Sequence, residues 1–600
     1  MKYSDKLIDD LVQLGYTHCF FVGGGNVMHL IESARTRMTC VPVVHEVSAG
    51  IAAEYFNVAS RETNFRAVAF VTAGPGLTNL VTAIGAAWLE SRELLIIGGQ
   101  ARTNFLSRGT VRQIGHQEID GVGIVKAITK AAVTIEKPMS FDELKAFSDL
   151  TKSGRKGPVF IELCLDVSAQ FVEDDYAVGA APVAEIPADA AAPEVTDFSE
   201  LTKLWSAAER PMLLVGQGLS FNEFEKCENL VRELGIPVAT SWNAADYLDF
   251  DDVLYAGRPN TYGMRWANAA IQQSDLVISV GARMGLQQTG FNWQDFVPVG
   301  KIAQLEIDTF ELDKENPGVD LKYQCDANQA FEPLLRAVAS TGKKVSTEWR
   351  DFVAFLKQSL PTEEAANAMF ADHVNPFEFV GQLSEIVPQN GVMIPCSSGG
   401  SYTTIMQAFR QKRGQLLTND KGSASMGYGL AGAIGTAIAM PDRKVFLVEG
   451  DGGFAQNLSE VGTVANRNLN LKMVVFENGG YASIRVSQRA YFAGNYIGCD
   501  AETGVGLPDW STMFASYGIP VVEVQSSLND NQAAVDLLKA DGPGALIVHL
   551  HKDQAFFPKL TSRLSKDGSM QSNPIHLMSP ELPEDLADQV FKYLPADLRG

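Results

Sequence analysis

The chain has 600 residues, 46% of them hydrophobic, and a formal net charge of −22. Its size predicts several domains with full cores, and its negative charge argues against nucleic acid or an anionic membrane surface as a partner. The seven cysteines form no CxxC pair, and residues 1–15 lack the apolar centre of a signal peptide, so we expect a cytoplasmic protein in a reducing compartment.

Short apolar runs that are typical of buried strands alternate with helical patterns along most of the chain. This alternation predicts the α/β class, here three doubly wound parallel-sheet domains with helices on both faces of each sheet. The clearest predicted strands are Cys19–Val22, Ala67–Val71, Leu94–Ile97, Pro158–Glu162, Met212–Val215, Leu276–Val280, Lys301–Ile307, Val445–Val448, Met473–Phe476 and Ala545–His549.

Changes in composition set the expected domain limits. Residues 176–197 are rich in alanine, proline and acidic residues without periodicity, which is typical of a linker. A second break falls near Pro361 and Pro376. We therefore expect domains at 1–175, 198–342 and 376–561, linkers at 176–197 and 343–375, and a tail at 562–600 that either covers a site or is mobile.

Two long uncharged runs, residues 67–89 and 422–440, resemble membrane spans by hydropathy alone. The first contains Gly74-Pro75-Gly76, which predicts a strand, a turn and a helix instead. We interpret both runs as buried core segments and expect no membrane span.

The stretch from Gly450 to Asn478 has the most informative spacing. It predicts a strand that ends in a tight Gly450-Asp451-Gly452 turn, a helix over 457–468 and a second strand over 471–476. Two parallel strand ends thus present the oxygen ligands Asp451 and Asn478 beside a glycine-rich turn. Hard oxygen ligands and free backbone N–H groups suit a magnesium-held diphosphate, although the turn alone also fits an ordinary strand–helix–strand unit.

This segment resembles the signature of thiamine diphosphate (ThDP) enzymes, a GDG turn followed after a helix and a strand by an asparagine. The resemblance implies that Asp451, Asn478 and the carbonyl of Gly480 bind Mg²⁺, which holds the diphosphate. The family's usual Asn-Asn pair reads Glu477-Asn478 here, and the metal-binding second position is kept. The first domain would bind the pyrimidine ring and the third the diphosphate.

The same resemblance implies an activating acid in the first domain. A predicted strand over 41–44 leads into His45-Glu46, and the acetohydroxyacid synthase branch of the family similarly has His-Glu at a strand end. Glu46 would then hold the pyrimidine N1′ and favour the imino tautomer of the cofactor. The alternative is an acid that only stabilises a helix N-terminus.

Further segments resemble the parts of the family that line the cofactor. Residues 72–79 look like its SGPGATN turn, residues 397–400 follow a predicted strand near the diphosphate, and residues 422–429 look like the segment that supports the bent cofactor. Met426 would lie under the bend, with core packing as the alternative, and the Ala424 carbonyl would accept from the 4′-amino group. The implied cofactor-binding residues are Gly24, Thr72, Gly74, Pro75, Asn79, Ser398, Gly399, Gly400, Ala424, Met426, Gly450, Gly452 and Gly453.

Residues 115–118, Gly-His-Gln-Glu, are similar to the Phe-Gln-Glu stretch of the acetohydroxyacid synthase-like branch. The likeness to this branch extends over roughly residues 3–560. It implies that Gln117 faces the thiazolium ring as a catalytic residue. His116 replaces the phenylalanine and is either an additional proton donor or part of the pocket wall.

The central domain resembles the FAD-binding domain of acetohydroxyacid synthases at Gly216, Gly263 and Arg283. In those enzymes FAD has no redox role in the main reaction. We therefore expect FAD as a third cofactor beside ThDP and Mg²⁺, with another nucleotide or none in this domain as the alternatives. Arg283 is otherwise a structural surface arginine.

Two departures bear on the substrate. The second arginine of the branch's GARFDDR run, which engages a keto-acid carboxylate, is Gln287 here, and the acceptor-selecting tryptophan falls at Ser487. An amide is a poor substitute for a guanidinium beside a carboxylate. The pattern looks similar to bacterial ThDP enzymes that add an acetyl unit to keto-sugar nucleotides, so we expect pyruvate as donor and a keto-sugar nucleotide as acceptor. Arg485 and Arg489 would then contact its phosphates, with ordinary exposed helix arginines as the alternative.

The alternatives are an acetolactate synthase that joins two pyruvates, a simple 2-keto acid decarboxylase, and a non-catalytic regulator on the same fold. The decarboxylase branch carries an adjacent histidine pair that this chain lacks. The resemblance also implies a homodimer or homotetramer, because in the family the glutamate and the GDG turn meet across a subunit interface.

Overall fold

The computed structural model of the protein describes residues 1–173, 192–396, 399–564 and 568–599. Three parallel sheets dominate it, each covered by helices on both faces. The predicted α/β class with three parallel-sheet domains is confirmed. None of the helices in the described part of the chain combines the length and apolar character that a bilayer span requires.

The first sheet is built from residues 16–164. Its strands are β1 (Tyr16–Phe21), β2 (Thr39–Pro42), β3 (Arg66–Val71), β4 (Leu94–Gln100), β5 (Ala131–Ile135) and β6 (Pro158–Cys164). The strand order is β2-β1-β3-β4-β6-β5. The helices are α1 (Tyr3–Gln13), α2 (Met28–Ala34), α3 (Glu46–Ala59), α4 (Pro75–Glu90), α5 (Gly121–Val125), α6 (Phe141–Lys152) and α7 (Leu165–Ala169).

The central sheet has the order β11-β10-β9-β7-β8, with β7 (Pro211–Val215), β8 (Val238–Thr240), β9 (Leu276–Val280), β10 (Lys301–Glu306) and β11 (Leu321–Gln324). Its helices are α8 (Ser199–Ala207), α9 (Phe221–Leu234), α10 (Arg265–Gln272), α11 (Leu286–Thr289), α12 (Thr309–Leu312), α13 (Ala327–Ser340) and α14 (Thr347–Ser359). Helix α14 lies in the segment expected to be a linker, but its Trp349 and Leu356 pack into the central core. The connection between domains is therefore shorter than 343–375.

The third sheet consists of β12 (Val392–Pro395), β13 (Leu416–Leu417), β14 (Val445–Gly450), β15 (Leu471–Glu477), β16 (Val521–Val524) and β17 (Gly544–His549). Its order, β13-β12-β14-β15-β17-β16, repeats that of the first sheet, so the two outer domains share one topology. The helices are α15 (Pro376–Ile386), α16 (Gly400–Ala408), α17 (Tyr428–Ala439), α18 (Asp451–Phe454), α19 (Val461–Arg467), α20 (Ala482–Tyr491), α21 (Trp510–Ser516) and α22 (Gln532–Lys539).

The C-terminal tail packs on the central domain. It carries the short strands β18 (Lys559–Leu560), β19 (Ser562–Leu564), β20 (Met570–Ser572) and β21 (Met578–Ser579) and the helix α23 (Glu584–Val590). Asn268 donates to the carbonyl of Ile575 at 2.9 Å, and Gln273 donates to the carbonyl of Val590 at 2.8 Å. The described part of the tail therefore packs into the central core.

One apolar cluster joins the first and third domains within the chain. Helices α3 and α17 form its centre, where Gly435 lies so close to helix α3 that an added Cβ would meet the Ala52 carbonyl at 2.1 Å. At its edge Glu54, Arg92 and Tyr428 are buried, and the Glu54 carboxylate accepts from the Tyr428 hydroxyl and from the Arg92 guanidinium, the latter at 2.8 Å. The ion pair places the buried Arg92 charge beside an opposite one, which a buried charge requires.

Candidate active site

Asp451 connects the carboxyl ends of two neighbouring strands. Its Oδ2 accepts hydrogen bonds from the backbone N–H groups of Asn478, Gly479 and Gly480 at 3.1, 2.8 and 3.0 Å. The residue follows β14 directly and begins helix α18, so the tight turn expected at residues 450–452 is the start of a short helix instead. The bonds fix the loop after β15 against the end of β14, as the parallel pairing of these strands allows.

The oxygen atoms around Asp451 suit a hard cation. Asn478 Oδ1 is buried and has no hydrogen-bond partner among the described residues, which is costly unless a ligand completes it. Burial raises the pKa of Asp451 to about 7, against the opposing N–H groups of Gly452 and Asn478. A desolvated carboxylate beside an unpaired amide oxygen is the chemistry that Mg²⁺ prefers, so these residues fit the metal.

This candidate site contains one carboxylate, one amide oxygen and one backbone carbonyl. No cluster of three or more His, Cys, Asp or Glu side chains that could hold a metal occurs in the described ranges. Gly480 adopts φ +136°, and a Cβ there would meet the Cys499 carbonyl at 2.2 Å, so only glycine fits. The position of the Gly480 carbonyl is therefore set by the backbone conformation and not by a side chain.

The other glycines of the third domain that we expected to bind the cofactor lie near the same sheet edge. Gly450 ends β14, and Gly452 and Gly453 lie in α18, where Gly452 packs against the Tyr481 ring. Gly399 precedes helix α16, and Gly400 is its first residue. Free N–H groups at such a helix start are suited to an anion. Ser398 lies outside the described residues.

Glu46 is the first residue of helix α3. The strand that precedes it, β2, ends at Pro42, two residues earlier than expected. Asn79 Nδ2 donates to Glu46 Oε2 at 2.9 Å, and Glu460 of the third domain accepts from the backbone N–H of His45 at 3.1 Å. The Glu46 carboxylate is partly exposed and is held by Asn79, which belongs to the predicted 72–79 segment.

The first-domain segments expected near the cofactor lie close together. Gly24 contacts Thr72, and Gly74 adopts φ +63° at the start of α4, where Pro75 is the first helical residue. A Cβ on Gly74 would meet the Gln117 carbonyl at 2.5 Å, so this glycine permits the loop that contains Gln117 to approach.

A residue that sequence reasoning did not single out shapes this loop. Glu118 is buried, and its Oε2 accepts from the backbone N–H groups of Ile114 and Gly115 at 2.8 and 3.0 Å. Although burial acts in the opposite direction, these bonds and those from Ser107 lower the pKa of Glu118 to about 2. The ionised carboxylate thereby holds the 114–117 loop, on which His116 is exposed.

The supporting segment of the third domain reaches the N-terminal end of helix α3. Asn457 bonds to the Ser48 hydroxyl and donates to the Gly427 carbonyl at 3.2 Å. Met426, which precedes Gly427 in the chain, is 37% exposed, more than core packing requires, and Ala424 adopts φ +52°. An exposed methionine on a strained backbone fits a surface that a ligand covers better than a core filler.

Glu449 is a second residue without a sequence signal. It is fully buried next to the GDG segment, and its Oε1 accepts from the Gly427 N–H at 3.1 Å. Burial raises the pKa of Glu449 to about 7, although the bonds from Cys396 and Gly427 oppose this. The residue thus connects strand β14 to the loop that carries Met426.

The two central-domain glycines expected to bind FAD are in tight places, but this tightness does not by itself indicate a flavin site. A Cβ on Gly216 would meet the Gly281 carbonyl at 2.2 Å, and one on Gly263 would meet the Arg258 carbonyl at 2.4 Å. Contacts within the protein therefore account for both glycines. Arg283 is exposed, and its charge lies near Lys421, whose pKa is about 8, chiefly because of burial.

The residues considered for the acceptor are in different environments. Gln287 and Ser487 are exposed, on helices α11 and α20. Arg489 is half exposed and pairs with Asp553 at 3.0 Å. Arg485 is only 4% exposed and pairs with Asp500 at 2.9 Å, so the expected role of Arg485 in binding phosphates is wrong, because its side chain supports the loop around residue 500.

All three sheet domains match models of one protein family. Residues 1–124 match "Thiamine pyrophosphate enzyme, N-terminal TPP binding domain", residues 198–334 match its central domain, and residues 398–549 match its C-terminal TPP binding domain. Together these segments cover more than half of the chain.

The chain is also similar along most of its length to curated proteins. It is 26% identical over 562 residues to the acetolactate synthase isozyme 1 large subunit of Escherichia coli K12, and the aligned residues make up 92% of this chain and 95% of that protein. It is 28% identical over 596 residues, 96% of this chain and 91% of the relative, to the acetolactate synthase large subunit of Parasynechococcus marenigrum. A probable acetolactate synthase large subunit of Methanococcus aeolicus is 27% identical over 514 residues, 83% of each chain.

Proposed function

The chain belongs to the thiamine pyrophosphate enzyme family, and on this premise we propose that it is a carboligase that decarboxylates pyruvate and joins the two-carbon unit to a second 2-keto acid, as in acetolactate formation. The observation that carries this proposal is the similarity to acetolactate synthase large subunits along nearly the whole chain. It favours the acetolactate alternative over the keto-sugar nucleotide acceptor that we expected first.

In this proposal the third domain holds Mg²⁺ and the diphosphate. Asp451, the unpaired Asn478 Oδ1 and the Gly480 carbonyl are the metal ligands, and the start of helix α16 offers N–H groups to the phosphates. When bound, ThDP supplies a nucleophilic carbon and an electron sink for decarboxylation.

The other residues orient the cofactor and move protons. With ThDP bound, Glu46 would hold a proton against the aminopyrimidine, and Asn79 keeps the Glu46 carboxylate in place through its bond at 2.9 Å. Met426 would lie against the cofactor, and Glu449 holds the loop of Met426 through the Gly427 N–H. The Gln117 amide would donate to the substrate carbonyl from a loop that Glu118 keeps in shape.

We further propose that the active unit is at least a homodimer. Large apolar side chains are exposed on the single chain close in sequence to the proposed catalytic residues: Val44 is 56% exposed, Val111 53% and Ile114 54%. Exposed apolar groups of this size are typical of an interface. FAD in the central domain stays a prediction on which no step of the proposed reaction depends. Native mass spectrometry reports the subunit number and any bound flavin together.

Incubation with pyruvate alone tests the proposed reaction. With ThDP and Mg²⁺ present, we expect acetolactate and CO₂ as products, with two pyruvates consumed for each CO₂. Free acetaldehyde as the sole product would show a simple decarboxylase instead. No turnover of pyruvate, with or without added carbonyl compounds, would favour a non-catalytic regulator.

A second candidate function is transfer of the two-carbon unit to a carbonyl compound without a carboxylate, such as a keto-sugar nucleotide. Gln287 and Ser487 favour it, because the family's arginine and tryptophan at these positions are absent. A neutral amide binds a carboxylate far more weakly than a guanidinium, which is charged and donates two parallel hydrogen bonds. Slow acetolactate formation together with fast consumption of a keto-sugar nucleotide would support this candidate over the first.

Replacing Gln287 by arginine is expected to increase acetolactate formation from pyruvate by roughly tenfold, since one charge-assisted hydrogen bond contributes about 1.5 kcal/mol or more. The helix tolerates the change because the Gln287 side chain is exposed, and the Gln287 backbone carbonyl, which accepts from the Thr261 N–H at 2.7 Å, is kept in the variant. The matched control is Gln287→Met, of similar length and without charge. Equal rates in both variants would remove residue 287 from acceptor recognition.

A further inference from the structure

Two cysteines lie side by side on neighbouring strands of the first sheet. Cys19 on β1 and Cys40 on β2 are direct partners in the parallel register, and their Sγ atoms are 3.6 Å apart. Both are free thiols. Adjacent strands are about 4.8 Å apart, within the range of Cα separations that a disulfide accepts. The strand spacing and the distance between the sulfur atoms therefore allow a bridge to form.

The surroundings make the two thiols unequal. The Cys19 thiol is buried and donates to the Cys40 sulfur. This hydrogen bond, against the effect of partial burial and with the help of the Arg467 charge, lowers the pKa of Cys40 to about 7. Arg467 is held in place by its bond to the Cys40 carbonyl at 2.7 Å. Cys40 is thus a partly exposed nucleophile next to a buried thiol that resolves it.

We propose that Cys19 and Cys40 form a reversible disulfide when the protein meets a hydroperoxide. The Cys40 thiolate attacks the outer peroxide oxygen, the O–O bond breaks, and the other oxygen leaves as an alcohol or water after taking a proton. The Cys19 sulfur then attacks the resulting sulfenic acid, the S–S bond forms, and the hydroxyl leaves as water with the Cys19 proton. The pair loses two electrons, and the peroxide gains them.

The bridge has a direct structural route to Glu46. Cys40 lies in β2, the strand that leads through Val43 and His45 into helix α3. An S–S bond of about 2.05 Å requires the two sulfur atoms to approach by roughly 1.5 Å. Because Val43 N–H bonds to Phe21 O at 3.0 Å at the end of the same strand pair, this movement acts on the segment that sets the position of Glu46.

Peptide mass spectrometry after hydrogen peroxide treatment of the full chain tests the proposal without any activity measurement. We expect a linked peptide pair that contains Cys19 and Cys40, lighter by two hydrogen atoms and separated again by dithiothreitol. Sulfinic acid at Cys40 without a link, or links that join other cysteines, would overturn it.

Variants separate the two steps. In Cys19→Ser, whose hydroxyl can still donate to the Cys40 sulfur, the sulfenic acid at Cys40 should persist and react with dimedone, whereas Cys40→Ser should abolish both the link and the dimedone adduct. Cys164→Ser, a buried thiol of the same domain, is the matched control and should leave the link intact. A dimedone adduct at Cys40 that is equally strong in the unsubstituted protein would contradict Cys19 as the resolving thiol.

The effect on turnover is a separate readout that rests on the proposed function. Oxidation should lower carboligation by about ten- to a hundredfold, because a 1 Å misplacement of a catalytic group costs up to about a hundredfold. Dithiothreitol should restore the rate, and Cys40→Ser should be insensitive to peroxide. A disulfide that forms without a change in rate would uphold the modification site and reject its regulatory effect.

Discussion

Replacement of Glu46 by glutamine is expected to lower carboligation by about a hundredfold or more, the usual contribution of a positioned acid–base group. Glutamine keeps the shape of the side chain and still accepts the hydrogen bond that Asn79 donates at 2.9 Å, but it cannot exchange a proton with the aminopyrimidine. The change therefore separates proton transfer from positioning. Initial rates with pyruvate at saturating ThDP measure it.

The control for this variant is Glu62→Gln, an exposed acid of the same domain, which should leave the rate unchanged. ThDP binding by calorimetry should stay within a few fold in Glu46→Gln, because the diphosphate is held elsewhere. Unchanged turnover in Glu46→Gln would contradict the catalytic role and revive the interpretation of Glu46 as an acid that stabilises the helix N-terminus.

Replacement of Asp451 by asparagine is expected to weaken Mg²⁺-dependent ThDP binding by roughly a hundredfold, because loss of an interaction with a charged group costs up to about 3 kcal/mol. The amide oxygen can still accept from the N–H groups of Asn478, Gly479 and Gly480, so the loop after β15 stays anchored, while the negative ligand and the bond from the Gly452 N–H at 2.7 Å are lost. Calorimetric titration of ThDP at several Mg²⁺ concentrations measures the effect.

Asn478→Ala provides an independent test of the same site. It removes the buried oxygen that has no partner among the described residues, so the metal-free protein should be no less stable while ThDP binding weakens. Asp442→Asn, exposed just before the other end of β14, is the matched control and should bind ThDP normally. Unchanged Mg²⁺-dependent ThDP binding in Asp451→Asn would rule out Asp451 as a magnesium ligand.

The strands of the sheets could be predicted because parallel strands buried on both faces read as continuous apolar runs. Each of the ten clearest predicted strands has a counterpart in the structure, and β9 has the predicted limits. Edge strands gave a weaker pattern. In β16, for example, Glu523 is exposed and pairs with His549, so the segment carries no continuous apolar run.

The candidate site was predictable only in part. The spacing of residues 450–478 and 72–79 pointed to two sheet edges, because motifs of this kind are local. The roles of Glu118, Glu449 and Glu460 were not predictable. Each accepts from backbone N–H groups of a loop, and Glu460 is more than 400 residues away in sequence from its partners Val44 and His45. No periodicity or local spacing records such a contact.

The apolar cluster between helices α3 and α17 has a consequence for recombination among relatives. Because Gly435 permits the helices to touch at the Ala52 carbonyl, the two surfaces have to match residue by residue. A chimera that inherits residues 46–59 from one parent must inherit residues 428–439 from the same parent, or a single extra methyl group separates the helices. The first and last thirds of the gene are therefore expected to be inherited together.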